Sequence, residues 1–126
     1  MAASMTEIEN TFIPTKQMAK MIKLNQTDIL CSHFKDYDFI IVTQYQKLGS
    51  LVQVSQEIVL DEIHQATPVY STKVLLGKDE PFTHVLAKNI ISEMQINKPI
   101  ILSMALKDTS IETVSVIKHL VKECVS

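Results

Sequence analysis

The chain reads as an α+β domain on a mainly antiparallel sheet of about six strands, in the order strands one to five, helix, strand, helix. Three observations predict this. Runs of β-branched and aromatic residues alternate with short polar turns up to Leu76. Two later stretches carry apolar residues at helical spacing. Between those stretches lies Ile100–Leu106, a short apolar run of strand character.

The first strand falls in Thr15–Leu24, and Asn25-Gln26 is read as its turn. Thr27–Phe34 alternates, with Ile29 and Cys31 on one face and Leu30 and Phe34 on the other. After a turn at Lys35–Asp38, Phe39–Thr43 gives the strongest strand signal in the chain. Gln46–Gly49 reads as a further turn, so that Ser50–Val54 pairs back and completes a four-stranded meander. Ser55–Pro68 mixes acidic and apolar residues without a clean period and is expected to be a long loop. Val69–Leu76 is the fifth strand, closed by Gly77.

Lys78-Asp79-Glu80-Pro81 opens the first helix, because either acid can cap it and Pro is tolerated in a first turn. Phe82, Val85, Leu86, Ile90 and Met94 form its apolar stripe, and Asn97-Lys98-Pro99 ends it. Thr109-Ser110-Ile111-Glu112 reads as a capping box. The second helix then carries Ile111, Val114, Ile117, Leu120, Val121 and Cys124 on one side. Residues 15–126 form a single domain, and residues 1–14, polar and aperiodic, are expected to be a flexible tail.

Phe39-Ile40-Ile41-Val42 is apolar on both faces of one strand, and such a strand needs cover on both sides. Two helices cover one face. The other is expected to pack on a partner, which makes the chain a dimer joined through its sheet, with Phe39, Ile41, Val42 and Val52 as the pairing residues.

Composition narrows the function. All 12 basic residues are Lys, against 14 acidic residues and a net charge of −2. Without Arg, the bidentate contacts that read guanine and phosphate are missing, which argues against a nucleic-acid reader. The only glycines are Gly49 and Gly77, so no glycine-rich phosphate loop exists. His33, His64, His84 and His119 are scattered, and no metal or cofactor is expected. Cys31 and Cys124 lack metal or redox spacing and are read as buried thiols. Neither a signal peptide nor a membrane-spanning run is visible, so a cytoplasmic or nuclear protein is expected, with no membrane partner. Two carboxylate pairs invite a catalytic reading, Asp36 with Asp38 at a spacing that suits a cation and Asp79 with Glu80 as general acid and base. Turn formation accounts for the first pair and helix capping for the second.

Three segments add a resemblance. They are Val42-Thr43-Gln44 with Lys47-Leu48-Gly49-Ser50-Leu51-Val52, then Ser71-Thr72-Lys73-Val74-Leu75-Leu76-Gly77-Lys78-Asp79-Glu80-Pro81 running on to His84–Asn89, and Ala105-Leu106-Lys107-Asp108. In this order and spacing, over about Cys31 to Cys124, the chain resembles the proteasome assembly chaperone 3 family. The resemblance implies a non-catalytic, ATP-independent chaperone. Such a protein pairs with proteasome assembly chaperone 4, or with a second copy of itself, and binds alpha-type subunits of the 20S proteasome. It promotes alpha-ring assembly and leaves before maturation. It also implies that the segment after the fourth strand contacts the alpha subunit, which here gives Glu57, Ile58, Leu60, Asp61, Glu62 and His64. The rival readings are a small adaptor of membrane traffic and, less favoured, a small enzyme working through one of the carboxylate pairs.

Overall fold

The computed structural model describes residues 16–126; the expected tail at 1–14 lies outside them. Six strands form one sheet: β1 Lys16–Ile22, β2 Asn25–His33, β3 Asp38–Thr43, β4 Ser50–Leu60, β5 Ala66–Leu76 and β6 Ile100–Ala105. Two helices, α1 Pro81–Ile91 and α2 Ile111–Val125, pack together over one face. The α+β architecture and the element order are those the sequence predicts.

The sheet order is not the expected meander. It runs β1-β2-β3-β6-β4-β5. β6 enters between β3 and β4, parallel to the first and antiparallel to the second. Two strands compete for the central place beside β3. Ser50–Val54 is buried only at Val52 and Val54, whereas four of the six residues of β6 are buried. The more apolar strand takes the doubly covered position.

The pleat then sorts the apolar residues. Ile40, Val42, Val52, Val54, Ile100, Leu102 and Met104 face the helices and join Ile29 and Cys31 in the main core. Leu30 and Ile41 lie on the opposite face with Phe39 and Leu48. Ile41 and Val42 are neighbours in one strand and cannot share a face.

Local signals were displaced by a residue or two. The β1–β2 turn is at Lys23-Leu24, both in the left-handed region (φ 48° and 68°), and Asn25 pairs with Ile22. Two positive φ angles suit the twist of a tight hairpin. The cap of α2 is Ser110, not Thr109: its Oγ accepts from Thr113 N at 3.4 Å. Glu80 is the N-cap of α1 but makes no side-chain cap bond. In α1 the buried face is Leu86, Ala87, Ile90 and Ile91, while Phe82 and Val85 are exposed; the helix ends at Ile91, short of the expected Asn97-Lys98-Pro99, so Met94 of the expected stripe lies beyond it.

The largest revision concerns Ser55–Pro68. It is not a loop: β4 and β5 continue as a paired ribbon from Ser55↔Ser71 to Leu60↔Ala66, closed by residues 61–65. β6 accompanies β4 only as far as Val54, so among the described residues the distal half of this hairpin has no third strand.

The segment between β3 and β4 crosses the end of β6 at close range. Gly49 N donates to Ser103 Oγ at 3.1 Å, and a Cβ on Gly49 would stand 2.0 Å from the carbonyl oxygen of Met104. Replacing Gly49 by Ala is expected to destabilise the domain by about 2–3 kcal/mol, since the obstacle is backbone in a packed sheet. Urea unfolding should show a lower midpoint with an unchanged slope.

Candidate protein-binding surface

Among the described residues, the two carboxylate pairs do not converge on one site. Asp38 is buried and paired, with His33 Nδ1 at 2.7 Å and Lys98 Nζ at 3.2 Å. Asp36 is exposed and borders a groove on the open sheet face. Asp79 hydrogen-bonds His84 Nε2, whose Nδ1 lies 2.6 Å from Thr72 Oγ1. This chain ties the start of α1 to β5. Glu80 instead approaches Lys78 at 4.0 Å.

Cys31, His33 and Asp38 stand in the order of nucleophile, base and orienting acid, with Cys31 Sγ 3.9 Å from His33 Nε2. The thiol is fully buried, however. Burial first, then the proximity of Cys124 and Asp38, pushes it up to about 12. It is a core thiol and not a thiolate at neutral pH. Burial likewise raises Cys124.

The segments that carry the family resemblance prove to be joints of the fold. Gln44, buried, accepts from the backbone N–H of Lys107 (2.8 Å) and Asp108 (3.0 Å) and donates to Thr27 Oγ1 (3.0 Å). Asp108 accepts from Ser110 N and from the hydroxyls of Ser110 and Thr113. Those bonds, the Thr113 hydroxyl foremost, hold its carboxyl below the usual range. Gly77 (φ 106°) abuts Ser50. These contacts join β3, β6, β4 and α2, and none of them needs a ligand.

Among the described residues, apolar side chains are exposed in several places, Leu24, Phe82, Val85 and Ile111 among them, and two connected groups lie on and beyond the open sheet face. On the open sheet face, Phe39, Leu75 and Ile101 line a groove of about 360 Å³ with Asp36, Tyr37, Gln53 and Pro99. Beyond it the β4–β5 ribbon exposes Ile58, Val59, Leu60 and Val69, and its turn exposes Ile63 at 77%. Apolar surface concentrated in this way marks a protein contact.

The residues expected to act there are distributed as follows. Of the pairing residues, Phe39 borders the groove. Ile41 is on the same face but buried against Leu48, and Val42 and Val52 are in the helix-side core, which corrects their expected place. Leu75 and Ile101 were missed: each was read only as part of a strand, and Leu75 faces the groove because it alternates with Val74, which packs on the helix-side core. Glu57, Ile58 and Leu60 lie in β4, and Asp61, Glu62 and His64 in the turn; all are exposed.

A family model described as proteasome assembly chaperone 3 matches residues 40–124. The chain belongs to this family. The Mus musculus proteasome assembly chaperone 3 is 34% identical over 119 residues, covering 92% of this chain and 96% of the mouse protein. The Bos taurus relative is 35% identical over 115 residues (89% and 93%), and the Nematostella vectensis relative 32% over 113 residues (83% and 84%). The fold matches a chain from a crystal structure of a chaperone complex for yeast 20S proteasome assembly. There the TM-score is 0.64 at 13% identity, over 88% of this chain and 98% of that one. For a family of assembly chaperones, exposed apolar surface with its polar groups tied into the fold is the expected equipment.

Two outcomes check these assignments. Gln44→Ala leaves two backbone N–H groups and Thr27 without their partner and is expected to cost about 2–3 kcal/mol in chemical unfolding. Both thiols should resist a disulfide exchange reagent in the native protein at about pH 8 and react only on unfolding. The unfolded chain releases the Cys31 proton near the ordinary thiol pKa, whereas the folded chain holds it to about 12. Stability should therefore fall with rising pH between those values, and less steeply in Cys31→Val.

Proposed function

We propose that the chain is a non-catalytic, ATP-independent assembly chaperone. It pairs through its open sheet face with proteasome assembly chaperone 4 and holds alpha-type subunits of the 20S proteasome while the alpha ring forms. It departs before the particle matures. Its place of action under this proposal is the cytoplasm, and the nucleus as a second compartment. Family membership supplies the assembly role. The observation that carries the pairing is the asymmetry of the sheet. One face carries both helices, while the other leaves Leu75 44% exposed and Phe39 half-buried beside an open groove. Both side chains are already part-covered, so covering the remainder is worth about 1 kcal/mol each, a fraction of the value for full burial. A second copy of the chain could use the same face where the partner is scarce.

No energy source is needed in this scheme. The chaperone must bind a free alpha subunit or partial ring more tightly than the finished particle, and exclusion by an arriving subunit supplies that difference.

The test is capture by the tagged chain from cytosol, read by mass spectrometry, beside the double variant Phe39→Asp/Ile101→Asp. The wild type should recover a second, related chaperone and free alpha-type subunits without mature particles. The variant should lose the second chaperone at least tenfold while keeping its fold, because a carboxylate in the centre of an apolar contact is left unpaired. A wild type that recovers neither class would sink the proposal.

A further inference from the structure

A small pocket stands at the end of the sheet opposite the tip of the β4–β5 ribbon. β3 and β6 are the one parallel pair among the described strands, and their chains part beyond Thr43 and Ala105. After β3 the chain turns to the open face, where Leu48 packs with Leu30 and Ile41. After β6 it turns to the helix side and enters α2. Parallel neighbours that part in this way leave a crevice outside their carboxyl ends. Here the crevice measures about 240 Å³, and its walls are the β1–β2 turn (24–26), residues 44–46 and Lys107. It shares no residue with the open-face groove or with the ribbon.

The walls are rich in donors. Among the described residues that line the pocket there is one cation, Lys107, and no carboxylate. The Lys107 ammonium is held 5.1 Å from the centroid of the Tyr45 ring. The nearby acids are engaged elsewhere: Asp108 accepts from the hydroxyls of Ser110 and Thr113, and Asp28 accepts from Gln26 Nε2 at 3.4 Å. Gln44 is only 4% exposed. Its Oε1 accepts from the backbone N–H of Lys107 and Asp108, which fixes the orientation of the amide. Its Nε2 then has two hydrogens to give. One goes to Thr27 Oγ1, and among the described residues the other has no acceptor. The rim is apolar, made by Leu24, 93% exposed, and Tyr45. Leu24 sits in the left-handed region at φ 68°, and Gln46 at φ 56°. That backbone is unfavourable for leucine, and at such exposure no packing among the described residues offsets it.

We infer that this pocket binds an acidic peptide segment of a partner protein. One glutamate- or aspartate-type carboxylate seats on Lys107 Nζ and the spare N–H of Gln44. An apolar neighbour of that acidic residue lies on Leu24 and Tyr45. A single ammonium balances a single negative charge, which favours a carboxylate over a phosphate dianion. The volume admits one such side chain and is smaller than a drug-sized ligand needs. The site goes beyond the proposed function and uses neither the pairing groove nor the ribbon.

The test is an NMR titration of the isotope-labelled full chain with the peptide acetyl-Leu-Glu-Leu-amide and with its glutamine counterpart. The glutamate peptide should shift the amides of Tyr45, Gln46 and Lys107 first. It should bind about tenfold more tightly than the glutamine peptide, by an advantage that shrinks as salt is raised. Free acetate, which has no apolar neighbour to place on the rim, should bind more weakly than the glutamate peptide. Lys107→Gln keeps the backbone N–H that Gln44 accepts. It should lose about tenfold in affinity for the glutamate peptide and bind the glutamine peptide as the wild type does. Leu24→Asn should weaken both peptides several-fold while the urea midpoint holds or rises, because asparagine tolerates the left-handed backbone. Equal binding of the two peptides, an unchanged affinity in Lys107→Gln, or acetate binding as tightly as the peptide would each overturn the site. So would shifts centred elsewhere, or none at millimolar peptide.

Discussion

The architecture depends on two adjacent parallel strands, β3 and β6, that are apolar on both faces. Ile40, Val42, Ile100, Leu102 and Met104 project into the helix-side core, while Phe39, Ile41 and Ile101 project the other way. Nothing local to either strand can satisfy both faces. The helices answer for one, which is why α1 and α2 lie together on the same side. For the other, the described residues supply a partial cover: Leu48, carried across the sheet end by the turn that Gly49 makes possible, packs near Ile41 and Leu30. The cover stops there. Farther along the same face Phe39, Leu75 and Ile101 border an open groove. Under the proposed function, the pairing surface is the part of this face that the described residues leave uncovered.

The same constraint explains why the recognisable parts of the sequence are mainly joints of the fold. Inserting β6 between β3 and β4 brings several chain segments to one end of the sheet, and their polar groups must be satisfied there. Gln44 bridges to Lys107, Asp108 and Thr27; Asp108 anchors Ser110 and Thr113; Ser103 receives Gly49. At the far side of the sheet, the hydrogen bonds from Thr72 through His84 to Asp79 fix the entry into α1. Each of these groups has a defined partner at a defined distance, so the residue types are hard to exchange. The exposed ribbon has no such demand placed on it by the fold.

This difference set what could be read in advance. α2 was legible because Val114, Ile117, Leu120, Val121 and Cys124 face one core, and β3 because its side chains are β-branched or aromatic. Sheet order was not, since Gln46–Gly49 has the length and composition of a hairpin turn, and only β6, remote in sequence, displaces β4 from β3. The distal ribbon was illegible for a related reason. Alternation signals a strand when one face is buried and the other wet, and from Glu57 to Val69 both faces are wet. Val42 and Val52 were misplaced because an all-apolar strand does not reveal which face is which, whereas pairing with β6 does.

A two-stranded ribbon with apolar residues on both faces is a hazard to the chain that carries it, since exposed strand edges recruit other strands. The sequence restrains it by local means. Pro68 removes a donor from the edge strand, and Glu57, Asp61 and Glu62 surround Ile58, Leu60 and Ile63 with like charge. Self-association through the tips would bring those acids together, and a partner with a basic rim would not. The charge therefore acts as a filter rather than as a source of affinity. Under the chaperone proposal this separation has a further use. The apolar contact would supply the hold, and the acidic rim would choose the partner. Asp61 already satisfies the backbone amides of the turn, so breaking a contact at the tip would strand none of them on the chaperone's side. A chaperone that must leave its product is better served by such a contact than by a buried ion pair, whose separation is expensive for both partners.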